Sequence, residues 1–79
     1  MIKEYFIKKV GLYDVEFFRD YINIKDTWYD VAVKVEGKDI KCRMHKNKDQ
    51  AWRIVGNRLP YVLLKLEEEF SEAIGKNEH

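Results

Sequence analysis

Few residues in this 79-residue chain are of a type and spacing to do chemistry. Cys42 and His45 are the first pair to weigh, as a metal site or a nucleophile with its base. They fall in a stretch that reads as a β-strand, where side chains alternate sides, so residues three apart point to opposite faces and cannot converge. There is no second cysteine, and the other histidine, His79, is a tail residue. Glu67, Glu68 and Glu69 are adjacent on an expected helix, about 100° apart around its axis, and so form no acid–base pair. Glu68 and Glu72 share a face, but it is the outer one, and a solvated helix face is the reading. No Gly-rich phosphate loop and no Ser/His/Asp set is present. These features give no catalytic residues, no metal and no cofactor, and the expectation is a non-enzymatic protein.

The sharpest pattern is a basic stripe: Lys34, Lys41, Arg43 and Arg53. A turn at Gly37-Lys38, with Gly at the first central position of a type II′ turn, sets Val35 across from Ile40 and Val33 from Cys42. In that register Lys34 faces Lys41 on the outward side, Arg43 lies opposite Ala32, and Arg53 joins from a third strand. Like charges directly opposite are destabilising. An anionic partner, nucleic-acid backbone above all, would relieve the repulsion. The plainer reading is a solvated face whose lysines keep a sheet from aggregating. The face shows no clear aromatic–basic interleaving of the kind single-strand binders use, Trp28 at its edge being the exception. Tyr61 and Leu64 fall outside the helix's apolar stripe and, with Lys65 and Glu68, are the candidate contact for a second copy or another protein.

The elements that must carry these residues run from Trp28 to Ile74. Tyr29, Val31, Val33 and Val35 alternate with Asp30, Ala32, Lys34 and Glu36, the period of a half-buried strand. Ile40, Cys42 and Met44 continue the apolar face after Gly37. A short third strand spans 51–55, with Trp52 and Ile54 on one side. Pro60 fits a helix's first turn. Leu59, Leu63, Leu66, Phe70 and Ile74 make one apolar stripe, and Gly75 stands where a C′ glycine would end the helix. Glu72 and Lys76 are an i,i+4 pair. Residues 77–79 read as a frayed end.

Residues 1–24 fit two patterns. Ile2, Tyr5, Phe6 and Val10, then Val15, Phe18 and Ile22, suit helix faces. The residue types suit strands, and Gly11-Leu12 can close a hairpin. That hairpin pairs Lys9 with Asp14, Phe6 with Phe17, Glu4 with Arg19 and Lys3 with Asp20, so opposite charges meet. The hairpin is the preferred reading. Residues 23–27 and 46–50 read as loops.

The whole is expected to be one small α+β domain, 1–79: an antiparallel meander of three to five strands with a C-terminal helix packed on one face. Eleven aromatic rings, 46% apolar residues and 37% charged residues of mixed sign argue for a packed globule. Net charge is +1, unevenly spread. Residues 1–33 hold five basic and six acidic groups, residues 34–58 eight and three, and residues 59–79 two and five. A lone cysteine makes no internal disulfide, so the cytoplasm is the expected compartment. No apolar run is long enough for a membrane span or a signal peptide, so no membrane partner is expected. The leading function is an accessory or protein-interaction domain acting on another protein or on itself. The alternative is nucleic-acid binding through Lys34, Lys41, Arg43 and Arg53.

Overall fold

A computed structural model describes residues 2–21 and 26–79. Five strands lie in one antiparallel sheet in chain order: β1 (Tyr5–Val10), β2 (Tyr13–Tyr21), β3 (Thr27–Val35), β4 (Lys38–Lys46) and β5 (Trp52–Val55). One helix, α1 (Tyr61–Asn77), follows and packs against the sheet. This is the α+β meander expected from the sequence, at the upper end of its strand count. The loop expected at 23–27 lies mostly outside the described residues, as does Ile22.

The N-terminal stretch is the hairpin, in the register that opposite charges favour: Lys9 faces Asp14 and Phe6 faces Phe17. The Arg19 amide donates to the Glu4 carbonyl at 2.8 Å, which carries the pairing one step beyond β1. Gly11 supplies the positive φ of +62° that the first turn position needs, while Leu12 stays at negative φ.

The second hairpin turns one residue earlier than expected. Its central residues are Glu36 and Gly37, at φ 50° and 79°, the two positive values of a type I′ turn. Val35 therefore faces Lys38, Val33 faces Ile40 and Val31 faces Cys42. The slip is two residues, an even number, so every side chain keeps its face and the apolar set stays buried. The hydrophobic pattern fixes which face is buried but leaves the choice between registers two residues apart to the turn.

The core lies between sheet and helix. Val15, Phe17, Tyr29, Val31, Val33 and Met44 from the sheet meet Leu63, Phe70 and Ile74 from α1, all essentially inaccessible to solvent. Phe17 and Phe70 meet edge to face at 6.0 Å. The helix touches both edge strands, β5 and β1. A flat five-stranded sheet would place those edges about 19 Å apart, wider than a helix of about 10–12 Å. The sheet must therefore curl around α1, leaving a convex outer face.

The helix also runs past its expected end. Gly75 is helical, Asn77 closes the last turn, and the Glu78 amide donates to the Ile74 carbonyl at 3.0 Å. Of the residues expected to fray, Asn77 and Glu78 are anchored instead, and His79 is exposed. The Glu78 carboxylate accepts from Arg19 Nε at 2.6 Å, Arg19 Nη2 at 3.1 Å and the Tyr29 hydroxyl at 2.5 Å. Asn77 donates to the Tyr29 oxygen at 2.8 Å. These side-chain bonds hold the last turn against the sheet, where glycine alone would let it end.

Candidate functional site

Each basic residue of the stripe has its place set by the strand period. Lys34, Lys41 and Arg43 all point to the convex face. The register removes the repulsion expected between Lys34 and Lys41, because Lys34 lies opposite Asp39 and Lys41 opposite Ala32. Arg43 lies opposite Asp30, not Ala32. Its Nε donates to Asp30 Oδ1 at 2.9 Å and its Nη2 to Asp20 Oδ2 at 3.4 Å. Arg53 reaches around the edge of the sheet to the helix, 3.1 Å from Glu68 and 4.0 Å from Glu67. The stripe is thus largely matched by carboxylates, and only Lys41 and Arg43 share a site.

That site is a shallow depression of about 430 Å³ on the convex face, lined by Phe18, Asp30, Ala32, Lys41 and Arg43. It exists because Ala32 is the smallest side chain on this face, flanked by long ones on β2 and β4. Beside it the Arg43 guanidinium lies 4.9 Å from the Trp28 ring, and Trp28 stacks on His45 at 4.4 Å. His45 Nε2 is 3.6 Å from Asp26. On the other side Tyr5 packs on Phe18 at 4.8 Å. Tyr5, Ile7 and Phe18 are 46%, 59% and 42% exposed, a small apolar cluster on a sheet face. The alternation that puts these three outward is visible in the sequence once the hairpin is chosen. A helical reading scatters them.

Cys42 and His45 do point apart, with Cys42 buried under the helix side of the sheet. Burial pushes its thiol up to about 12, with Asp30 and Glu67 adding to the shift, so it is inert at neutral pH. Among the described residues no group of three His, Cys, Asp or Glu side chains is placed to hold a metal ion. No helix among them is long and apolar enough to cross a membrane. Glu68 and Glu72 lie on the exposed outer face of α1, while Glu67, expected with them on a solvated helix, does not. Glu67 turns to β5 and accepts the Ile54 amide at 2.8 Å, and Ser71 accepts the Trp52 amide at 3.0 Å. An edge strand's free N–H groups are thereby satisfied by helix side chains. Tyr61 and Leu64 are exposed on α1, as their position off the apolar stripe implied.

Burial and charge combine in the anchor at the helix end. Burial raises the Glu78 carboxyl, but the hydrogen bonds from Arg19 and Tyr29 outweigh it and hold the group below its ordinary value. The Tyr29 hydroxyl is driven well above its usual range, first by burial and then by Glu78. The hydrogen bond to Glu78 raises Arg19 despite the opposing effect of burial. This is an architectural cluster: its carboxylate is fully used by internal donors.

The chain matches no protein-family model, no curated protein and no solved structure.

Proposed function

We propose that this α+β domain is a non-enzymatic protein-interaction module whose convex sheet face is its contact surface. The observation that carries the reading is the exposed Tyr5, Ile7 and Phe18 cluster beside the Ala32 depression. Aromatic side chains already packed on one another lose little freedom on binding and serve as contact anchors. Around them the charges are paired, Arg43 with Asp30 and Asp20 and Lys34 opposite Asp39. An apolar centre with a mixed-sign rim suits a protein surface better than a polyanion. A photo-activatable phenylalanine at position 18 tests this in the native host. Discrete protein adducts are expected from position 18, absent from a control at Lys48 and lost on Ile7→Asp. An absence of adducts, or adducts equal at both positions, overturns it.

The second reading is single-stranded nucleic acid across Trp28, His45, Arg43 and Lys41, favoured by the stacked Trp28–His45 pair with Arg43 over the indole. Polarisation titration with a labelled single strand and a short duplex at two salt concentrations tests it. Binding that falls steeply with salt and is lost on Trp28→Ala supports this reading. No binding at low salt ends it.

A further inference from the structure

The edges of the sheet are treated unequally. On β5 the helix supplies acceptors to the outward amides of Trp52 and Ile54. On the β1 side it does so at one position. The Asn77 carboxamide accepts from the Lys3 amide at 3.1 Å and donates to the Lys3 carbonyl at 2.9 Å. One residue exchanging both bonds is what an antiparallel neighbouring strand would do. Beyond Lys3 the imitation stops. In a two-residue hairpin closed by Val10 and Tyr13, alternate residues of β1 bond to β2, and the Arg19–Glu4 bond agrees with that phase. Tyr5, Ile7 and Lys9 therefore direct their amides and carbonyls away from the sheet. Among the described residues these main-chain groups have no hydrogen-bond partner.

The space they face is a groove. Three hollows follow one another along this edge, two between β1 and α1 and the third between the Gly11-Leu12 turn and α1; Lys8 lines the first and second, Gly11 and Glu69 the second and third. The first, of about 340 Å³, is lined by Lys3, Phe6, Lys8, Ala73, Lys76 and Asn77. The second, of about 180 Å³, has Lys8, Lys9, Val10 and Gly11 facing Glu69 and Glu72. The third, of about 470 Å³, is mostly apolar, with Leu12, Tyr61, Val62 and Leu66 beside Lys65 and Glu69.

We propose that this groove binds an extended peptide segment of a partner protein, which adds to β1 as a sixth, antiparallel strand. The occupant's chemistry follows from the walls. Outward amides and carbonyls at every second residue match the repeat of another extended backbone. A strand antiparallel to β1 runs from the Gly11 end towards Lys3. Its first residues lie at the mostly apolar third hollow and take a large apolar side chain there. Its last residues lie at Lys3, Lys8 and Lys76, and Lys3 and Lys8 have no ion pair among the described residues, so an acidic side chain belongs at that end. Five residues of β1 span about 17 Å at about 3.4 Å per residue, the length of a short linear segment. A second copy of this chain fits less well, since it would bring its own α1 to the same side of the added strand. The proposal belongs with the protein-interaction reading but uses the outward main chain of β1, where the Phe18 cluster uses side chains on the convex face.

The test uses the full chain and a library of acetylated, amidated nonapeptides. Enriched sequences are expected to carry an apolar residue near the start and Asp or Glu near the end. For the tightest peptide, backbone N-methylation at alternate positions should weaken binding about tenfold or more, while methylation at the intervening positions changes little. Lys9→Pro deletes an outward amide on an edge strand without touching the Tyr5, Ile7 and Phe18 side chains, and should weaken binding similarly. Phe18→Ala should leave binding unchanged. If Lys9→Pro fails to fold, the N-methyl scan decides alone. No enrichment over the library background overturns the proposal, as does binding indifferent to the methylation register. Binding that is lost on Phe18→Ala also overturns it, while leaving the convex-face reading in place.

Discussion

Glu78→Gln is the sharpest probe of what holds the helix to the sheet. The substitution keeps shape and removes a charge from a carboxylate that accepts three hydrogen bonds, two from Arg19 and one from Tyr29. Arg19 has a side chain only 7% exposed and Glu78 one 22% exposed. Breaking a fully buried ion pair by removing one partner costs about 3–5 kcal/mol. Partial exposure, the second carboxylate of Glu4 at 4.0 Å from Arg19 and relief of an anion at a helix C-terminus all reduce this. The expected cost is about 2–3 kcal/mol, out of about 4–12 kcal/mol for a chain of this length. In a domain this small that lowers Tm by about 10–20 °C.

The assay is a set of thermal and urea melts of the wild type, Glu78→Gln, Arg19→Met and the Arg19→Met/Glu78→Gln double variant. Removing both partners leaves no stranded charge, so the double variant should be more stable than Arg19→Met alone. The pH dependence has a definite sign. Glu78 binds its proton less readily folded than unfolded, where carboxyls titrate near about 4.3. Its stabilisation is therefore present above about pH 5 and lost as pH falls through the folded value, so wild type and Glu78→Gln should converge in acid. Tyr29 is raised, so its share is present below about pH 10 and lost as pH rises beyond. A Glu78→Gln midpoint within about 0.5 kcal/mol of wild type at pH 7, or strict additivity of the two sites, would refute the reasoning.

Phe70, fully buried against Phe17, should cost about 3–5 kcal/mol on replacement by alanine, read as a drop in urea midpoint. Glu36 holds a positive φ better suited to Asn, so Glu36→Asn should stabilise by about 0.5–1 kcal/mol in thermal melts. Lys34→Glu should destabilise by a few tenths of a kcal/mol to about 1, because it would place two carboxylates opposite each other at Asp39. Lys41→Glu, opposite Ala32, should change stability by no more than about 0.5 kcal/mol, where a Lys34–Lys41 opposition would have made it stabilising. Cys42 should label with iodoacetamide only as fast as the protein opens, which hydrogen-exchange rates of β4 amides can calibrate.

The legible parts of this fold are those set by side-chain periodicity. The period of two from Tyr29 to Met44 gave the right buried face, and the spacing of Leu63, Leu66, Phe70 and Ile74 gave the helix and its buried side. Charge matching was enough to register the first hairpin. In the second hairpin the same rule, pairing Lys34 with Asp39 and Arg43 with Asp30, points to the Glu36-Gly37 turn, against the turn that Gly37-Lys38 suggests. A glutamate at positive φ is a poor turn signal, and Gly37 serves either turn type. The helix end was illegible for a different reason. Gly75 carries a local stop signal, and what overrides it comes from Arg19 and Tyr29, 59 and 49 residues away from Glu78 in sequence. Of the candidate site, Lys41 and Arg43 were placed together, but Phe18 entered only with the hairpin.

A sheet that curls around a single helix leaves two edges near that helix, and the chain meets the hazard of open edges with side chains instead of a closed barrel. Glu67 and Ser71 face β5, and Asn77 faces Lys3. A fully protective helix would place acceptors along β1 as well. The positions available for it, Glu69, Ala73 and Lys76, line hollows and form no hydrogen bond to β1 among the described residues. Ala73 in particular is too short to reach the strand, and its small side chain is what opens the first hollow. Protection of one edge by helix side chains, with the outward main-chain groups of β1 left unmatched beyond Lys3, is the arrangement expected where a sixth strand belongs. Filling the groove from the helix side gives a further check. Lys76 lines the first hollow from an exposed helix position, so Lys76→Trp should block library peptides from the groove while leaving Phe18-dependent crosslinking intact.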